Sequence, residues 1–144
     1  ALDAARLPLA DGGQTAADWL TGKWSLVVIG NGACDANCQQ TLVYVRQTHA
    51  GLGRLNVRVQ RVLLADSACC ERGYLQREHA GVLAVDASSA AGQKLVSAFP
   101  ADSRERMVFV VDPLGNLMMR YDSRLDPKGL RTDMKKLLDL SHIG

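Results

Sequence analysis

Four cysteines carry the chemistry this sequence offers, and they fall in two tight clusters, Cys34-Asp35-Ala36-Asn37-Cys38 and Cys69-Cys70. Clustering of this kind reads as metal or redox chemistry better than as a structural framework of staples. Cys34 stands where a continuous apolar run, Trp24 to Gly30, gives way to a helical pattern. A helix N-terminus favours a thiolate through its unpaired N–H groups and dipole, so a cysteine there is more acidic and more nucleophilic than a free one. Cys38 lies four residues on, and residues at that spacing in regular helix have Cβ atoms roughly 5–6 Å apart. A disulfide wants about 3.5–4.5 Å. The spacing therefore permits a disulfide if the helix unwinds locally, and it is more relaxed for a soft ion such as Cu(I) or Zn held between two thiolates. Two buried structural cysteines are the plain alternative. The Gly32-Ala33-Cys34 approach favours an exposed Cys34.

Cys69-Cys70 follow the second apolar segment, and in a parallel sheet the C-terminal strand ends share one edge, so this cluster is expected near the first. Adjacent cysteines seldom pair, because the small ring strains the peptide bond. Cys69 and Cys70 are read as a resolving thiol, as weak additional metal ligands, or as one helix-face and one solvent-facing cysteine.

The elements that position these residues follow from periodicity. Residues 1–13 read as an irregular lead-in with Pro8 and Gly12-Gly13 as breakers, and residues 14–144 as one domain. Thr15 is placed as the cap of a short helical turn, Ala16 to Leu20. Trp24 to Gly30 is a strand buried on both faces. Cys38, Leu42, Val45 and His49 share a helical stripe ending near Gly51 to Gly53. Asn56 to Ala65 reads as a second strand, and Asp66-Ser67 as the cap of a helix from about Ala68 to His79. Val82 to Val85 is a short strand, and Ser88 or Ser89 caps a helix to about Phe99, with Pro100 as the stop. Arg106 to Val111, the turn Asp112-Pro113-Leu114-Gly115-Asn116 and Leu117 to Tyr121 make a hairpin. Asp126-Pro127 opens a last helix with Leu130, Met134, Leu137, Leu138 and Ile143 on its apolar face. Strands joined by helices imply an α/β fold, a central mixed sheet, mostly parallel with a C-terminal β-hairpin, flanked by helices. Trp19, Trp24 and Tyr44 are assigned to the core or its edge.

Composition agrees with a single globular domain. The chain has 144 residues, 47% apolar and 22% charged, which excludes a disordered tail, a fibre and a coiled coil. The net charge of +2 is spread in mixed sign, giving no nucleic-acid footprint. The longest apolar runs fall far short of the roughly 20 residues of a membrane helix. The first residue is Ala rather than Met, which accommodates a missing signal peptide or N-terminal membrane anchor.

The segment Gly22-Lys23-Trp24-Ser25-Leu26-Val27-Val28-Ile29-Gly30, followed by Cys-x-x-x-Cys, resembles the core of the Sco/SenC proteins. The likeness continues through the Asp66 loop, the short strand before Asp86 and Val111-Asp112-Pro113-Leu114-Gly115-Asn116, which is similar to the family's Asp-Pro-x-Gly hairpin. It implies a thioredoxin-like fold and a periplasmic or extracytoplasmic, membrane-anchored protein handling thiols or Cu(I) while the copper centre of cytochrome oxidase is built. Its partners would be protein thiols or a respiratory oxidase subunit. By resemblance Cys34 is the exposed nucleophile or first copper ligand, and Cys38 the resolving thiol or second ligand.

Two departures stand out. The family's metal-binding histidine lies about eight residues before the Asp-Pro turn, and that position here is Arg104. The family's Pro inside Cys-x-x-x-Cys is replaced by Asp35-Ala36-Asn37. His49 is about 16 Å along the helix from Cys38, and His79 roughly 13–15 Å from Cys70. Both, with His142, read as surface or helix-end residues, leaving Cys69, Cys70 or Met107 as substitute ligands. The stretch Arg104-Glu105-Arg106 is expected to face the cysteines, with Arg104 lowering thiolate pKa values rather than binding metal. The expectation is thiol–disulfide exchange first and Cu(I) handling second. A non-catalytic thioredoxin-like partner-binding module is the alternative. A peroxidase reading is disfavoured, because Asn31-Gly32-Ala33 stand where that chemistry needs Pro and Thr.

Overall fold

Six of the seven residues of strand β1 (Trp24–Gly30) are buried, so β1 has no solvent face and must lie in the middle of a covered sheet. A computed structural model of the chain, which describes residues 1–67, 69–102, 104–125 and 128–141, places it there. The elements that follow are α1 (Ala36–Gly51), β2 (Val59–Ala65), α2 (Arg72–Glu78), β3 (Val82–Asp86), α3 (Ala90–Ser97), β4 (Met107–Val111), β5 (Leu117–Asp122) and α4 (Gly129–Leu140). The sheet order is β3-β2-β1-β4-β5. β1, β2 and β3 are parallel, and their registers carry Gly30 opposite Ala65 and Ala65 opposite Asp86. The C-terminal ends of all three strands therefore open on one edge, where the cysteines stand.

The alternation of β1 divides the core in two. Trp24, Leu26 and Val28 face α1 and α4, packing with Leu42, Val45, Leu130, Met134 and Leu138. Val27 and Ile29 face the other way, with Leu95, Val96, Phe99, Phe109 and Leu7. Each fully buried leucine contributes about 2 kcal/mol through removal of its surface from water. Trp19, Trp24 and Tyr44 are all buried, as their assignment to the core requires.

Several local expectations are revised. Thr15 does not cap a helix. Its hydroxyl accepts from the Leu7 N–H (2.9 Å) and its own N–H donates to the Leu7 carbonyl (2.9 Å), so residues 16–20 form only turns. The lead-in packs on the domain: Leu7 is buried and Leu9 pairs antiparallel with Val85. Gly53–Arg58 form a 3₁₀ turn, so β2 begins at Val59 rather than Asn56. Asp66 and Ser67 cap nothing; α2 starts later, after Glu71, which makes no side-chain cap bond. β4 runs antiparallel to β1, so the hairpin of β4 and β5 contributes two of the sheet's four pairings. Of the two serines the sequence offers, Ser89 caps α3 as expected, accepting from Gly92 N–H (3.2 Å). In the β4–β5 turn the Asp112 carboxylate accepts from the N–H groups of Leu114 and Asn116, and Gly115 supplies the positive φ of 86°. Ala68, Asp126, Pro127, His142 and Ile143, which the sequence places in helices or a tail, lie outside the described residues. No helix among the described residues is long and apolar enough to cross a membrane.

Candidate functional site

Asp35 decides where α1 starts. Asp is a strong N-cap residue, and its carboxylate accepts from the Cys38 N–H (3.0 Å) while its backbone stays extended. Cys34 is thus left just outside the helix. Its φ of 49° is in the left-handed region, a conformation that costs a non-glycine residue roughly 1–2 kcal/mol. The loop holds it there: its N–H donates to the Asn31 carbonyl (3.0 Å), and its carbonyl accepts from Gln39 Nε2 (3.0 Å). The backbone turn brings the Cα atoms of Cys34 and Cys38 to 5.0 Å, and the two are joined by a disulfide. The unwinding that a disulfide at this spacing requires is supplied by the residue before the helix, so α1 itself stays regular.

Both sulfurs are buried, Cys34 at 1% and Cys38 at 2% exposure, against the expectation of an exposed Cys34. The two are not equivalent. Cys38 lines a surface cleft of about 240 Å³ together with Gly30, Asn31, Asp35, Asp66, Arg104 and Glu105, whereas Cys34 does not reach its wall. Gly30 makes room for this, because a Cβ there would stand 3.1 Å from Cys38 Sγ.

The second cluster lies beside the first. The Gly32 N–H donates to the Ser67 carbonyl (2.6 Å), the Glu71 N–H to the Gly32 carbonyl (2.7 Å) and the Asp66 N–H to the Gly30 carbonyl (2.9 Å). These bonds clamp the β2–α2 loop onto the β1–α1 loop. Cys70 packs against the core cluster that contains Cys34 and Cys38. Contrary to the strain argument, Cys69 and Cys70 are bonded to each other, across a cis peptide, and both are half-buried. Among the described residues no three His, Cys, Asp or Glu side chains converge as a metal site.

Arg104 reaches the cleft wall, but its Nε and Nη2 are committed elsewhere. Nε donates to the Pro100 carbonyl (2.8 Å), and Nη2 to the carbonyls of Val96 (2.9 Å) and Phe99 (2.6 Å). It closes the C-terminal end of α3, where free carbonyls need donors. Met107 packs on the opposite face of the sheet from the cysteines. His49 is a helix-end residue whose Nε2 lies between the carbonyls of Asn56 (3.0 Å) and Val59 (2.8 Å). His79 follows α2 but is no surface group. It is buried, its Nε2 is 3.0 Å from the Tyr74 hydroxyl, and its Nδ1 has no protein partner. Burial, reinforced by the Arg46 and Arg61 charges, holds its pKa below the usual histidine range.

Asn31, Asp66 and Glu105 complete the cleft; the sequence points to the Arg104-Glu105-Arg106 stretch and to the Asp66 loop, but not to Asn31. Asp35 was legible as an N-cap by residue type alone. The chain brings Glu105 to the site through a 3₁₀ segment, Arg104–Arg106.

This arrangement, a buried parallel strand delivering a cysteine pair to the N-terminus of the following helix, defines a thioredoxin-like protein. Residues 24–141 match the family described as "Transmembrane-like, thioredoxin-like, C-terminal domain", and the chain belongs to that family. Yeast Sco1 with copper bound is similar in structure, with a TM-score of 0.82 at 16% identity, covering 97% of this chain and 93% of that one. Copper-bound ScoI of Bradyrhizobium japonicum gives 0.74 at 15% identity over 94% of this chain and 98% of its own. A SCO1/SenC family lipoprotein from Bacillus anthracis gives 0.71 at 15% identity, covering 94% of each. At these identities the likeness establishes the fold, and the resemblance read from the sequence holds at that level. No curated protein matches the chain in sequence.

Proposed function

We propose that this chain is a Sco-type dithiol protein that exchanges its Cys34–Cys38 disulfide with protein thiols outside the cytoplasm, in the maturation of a respiratory oxidase. The observation that carries this reading is the bridged pair at the start of α1, with one sulfur on the wall of an open cleft. On reduction, both thiols lie at a helix N-terminus, whose dipole favours thiolate. The extracytoplasmic location is supported by the lipoprotein among the structural relatives.

Handling of Cu(I) is the second part of the proposal, supported by the copper-bound relatives. The donor set fits it only in part. Two thiolates suit a soft monovalent ion, but the histidine position holds Arg104, a cation whose Nε and Nη2 donate to carbonyls at and just beyond the end of α3. When bound, the ion would be held by Cys34 and Cys38 and passed on by ligand exchange. The reading thus rests first on thiol chemistry.

The test is redox titration of the purified chain with mass mapping of alkylated cysteines, alongside anaerobic Cu(I) titration of the reduced form. A reversible two-electron couple at Cys34 and Cys38, lost in Cys34→Ser and Cys38→Ser, is expected. A bridge that never reopens under mild thiols, or thiols that stay inert once reduced, would leave a non-catalytic partner-binding module instead. Copper binding unchanged by Cys34→Ser would remove the metal half.

A further inference from the structure

The cleft above the bridge differs in charge from the rest of the chain. The protein carries a net charge of +2, yet the walls beside Cys38 hold three carboxylates, Asp35, Asp66 and Glu105, against the single guanidinium of Arg104. Among the described residues none of the three carboxylates is in an ion pair, since the salt bridges found join Arg46 to Glu78, Lys94 to Asp3, Arg120 to Asp102 and Arg124 to Asp122. An independent feature points the same way. The side-chain oxygen Oδ1 of Asn31, on the same wall, is buried with no hydrogen-bond partner. A buried acceptor left in this state needs a donor. The sulfur that reaches this wall belongs to Cys38, a residue only 2% exposed, so an incoming group must enter the acidic cleft to meet it.

We infer that Cys38, not Cys34, is the sulfur attacked by the partner, and that the partner's thiol is flanked by cationic, N–H-bearing side chains that match this acidic wall. The inference rests on the exchange reading proposed above and adds to it the point of attack and the partner's chemistry. The step balances as an ordinary thiol–disulfide exchange. The partner's thiolate forms a bond to Cys38 Sγ, the Cys34–Cys38 bond breaks, and its electron pair leaves on Cys34 Sγ, which takes a proton from solvent. A second partner thiolate then displaces Cys38, so the partner ends as a disulfide and the chain as a dithiol.

The probes are small charged disulfides and thiols. In Cys34→Ser, the Cys38 thiol should react with cystamine about tenfold faster than with dithiodiglycolate at low ionic strength, the scale of electrostatic steering into a charged cleft. The ratio should collapse toward one at about 1 M salt, where the screening length is about 3 Å. Asp66→Asn combined with Glu105→Gln should shrink it. In Cys38→Ser, the remaining Cys34 thiol should react at least about tenfold more slowly with both probes, because it does not reach the cleft. Because a cysteine variant can lose its fold, the unaltered oxidised chain supplies a second measurement. Its bridge is opened with cysteamine or mercaptoacetate at matched thiolate concentration, and the mixed disulfide is mapped by mass. Cysteamine should be the faster, with the adduct on Cys38. Equal or reversed rates, or an adduct on Cys34, overturn the inference while leaving exchange intact. Failure of every probe to open the bridge overturns the exchange reading itself.

Discussion

The two cysteine pairs sit on loops that hydrogen-bond to each other, yet they are held by different kinds of structure. Cys34–Cys38 is seated in the core at the start of a 16-residue helix whose cap is the residue between the pair's first member and the helix. Cys69–Cys70 is half-buried in an irregular stretch that leads to a 7-residue helix with no side-chain cap. An isolated helix of that length has little stability of its own, whereas packing of the buried face of α1, Cys38, Thr41, Leu42, Tyr44, Val45 and Thr48, fixes the first pair's geometry. The contrast teaches that position at one sheet edge does not give two sulfur pairs one role. The first is aimed by secondary structure, and the second is tethered by loop bonds.

The largest test of this contrast is in the core. Leu42, buried at 1% exposure beneath the first pair, is expected to lose about 4 kcal/mol as Leu42→Ala, and Leu75 in α2 about 2 kcal/mol as Leu75→Ala. Urea unfolding measures both, and equal losses would break the ranking of the two helices.

A smaller effect comes from glycines on either side. Gly30→Ala places a methyl 3.1 Å from Cys38 Sγ against a close-packed strand and should cost about 1.5 kcal/mol. Gly73→Ala meets only the flexible ends of the Arg77 and Glu71 side chains and replaces glycine within α2, so it should gain about 0.5 kcal/mol. Opposite signs in thermal unfolding sharpen the comparison; a shared sign contradicts it.

Next are the caps. Asp35→Ala removes the carboxylate that receives the Cys38 N–H and should cost about 1 kcal/mol. Glu71→Ala removes no cap bond and should stay within about 0.5 kcal/mol. Denaturant midpoints of the reduced proteins decide it.

The smallest effect is in pH. The folded pKa of His79 is depressed, so the native state binds fewer protons than the unfolded one. Its share of stability is complete above the unfolded value of about 6.5 and is lost as pH falls below it. His79→Gln should flatten the slope of urea midpoint against pH between 7 and 5. An unchanged slope would remove the acid weakness assigned to the α2 side.

Much of the frame was legible. The run Trp24 to Gly30 predicts β1 to the residue, because a strand buried on both faces is apolar nearly throughout, and its one polar side chain, Ser25, accepts from Gln60 Nε2 (2.8 Å). The stripe of Cys38, Leu42 and Val45 predicts α1 in the same way. What escaped depended on partners distant in sequence. Thr15 has the residue type of a cap, but the lead-in's Leu7 takes its hydroxyl. α2 is shortened because Glu71 is drawn to Gly32. Arg104 was found by counting from Asp112, yet its guanidinium goes to three backbone carbonyls, acceptors that every sequence carries and none distinguishes. Cys34's left-handed backbone had no glycine to announce it.

The lead-in has a consequence for how this molecule keeps to itself. β3 is an outer strand of the sheet, and its backbone groups would be open to pairing with another chain. The Asp86 N–H is taken by the Pro8 carbonyl (2.8 Å), and the Ala84 carbonyl by the Ala10 N–H (3.0 Å). A short self-supplied bridge, begun by a proline that has no N–H to offer a neighbour, thus covers that margin, where an open edge would invite aggregation.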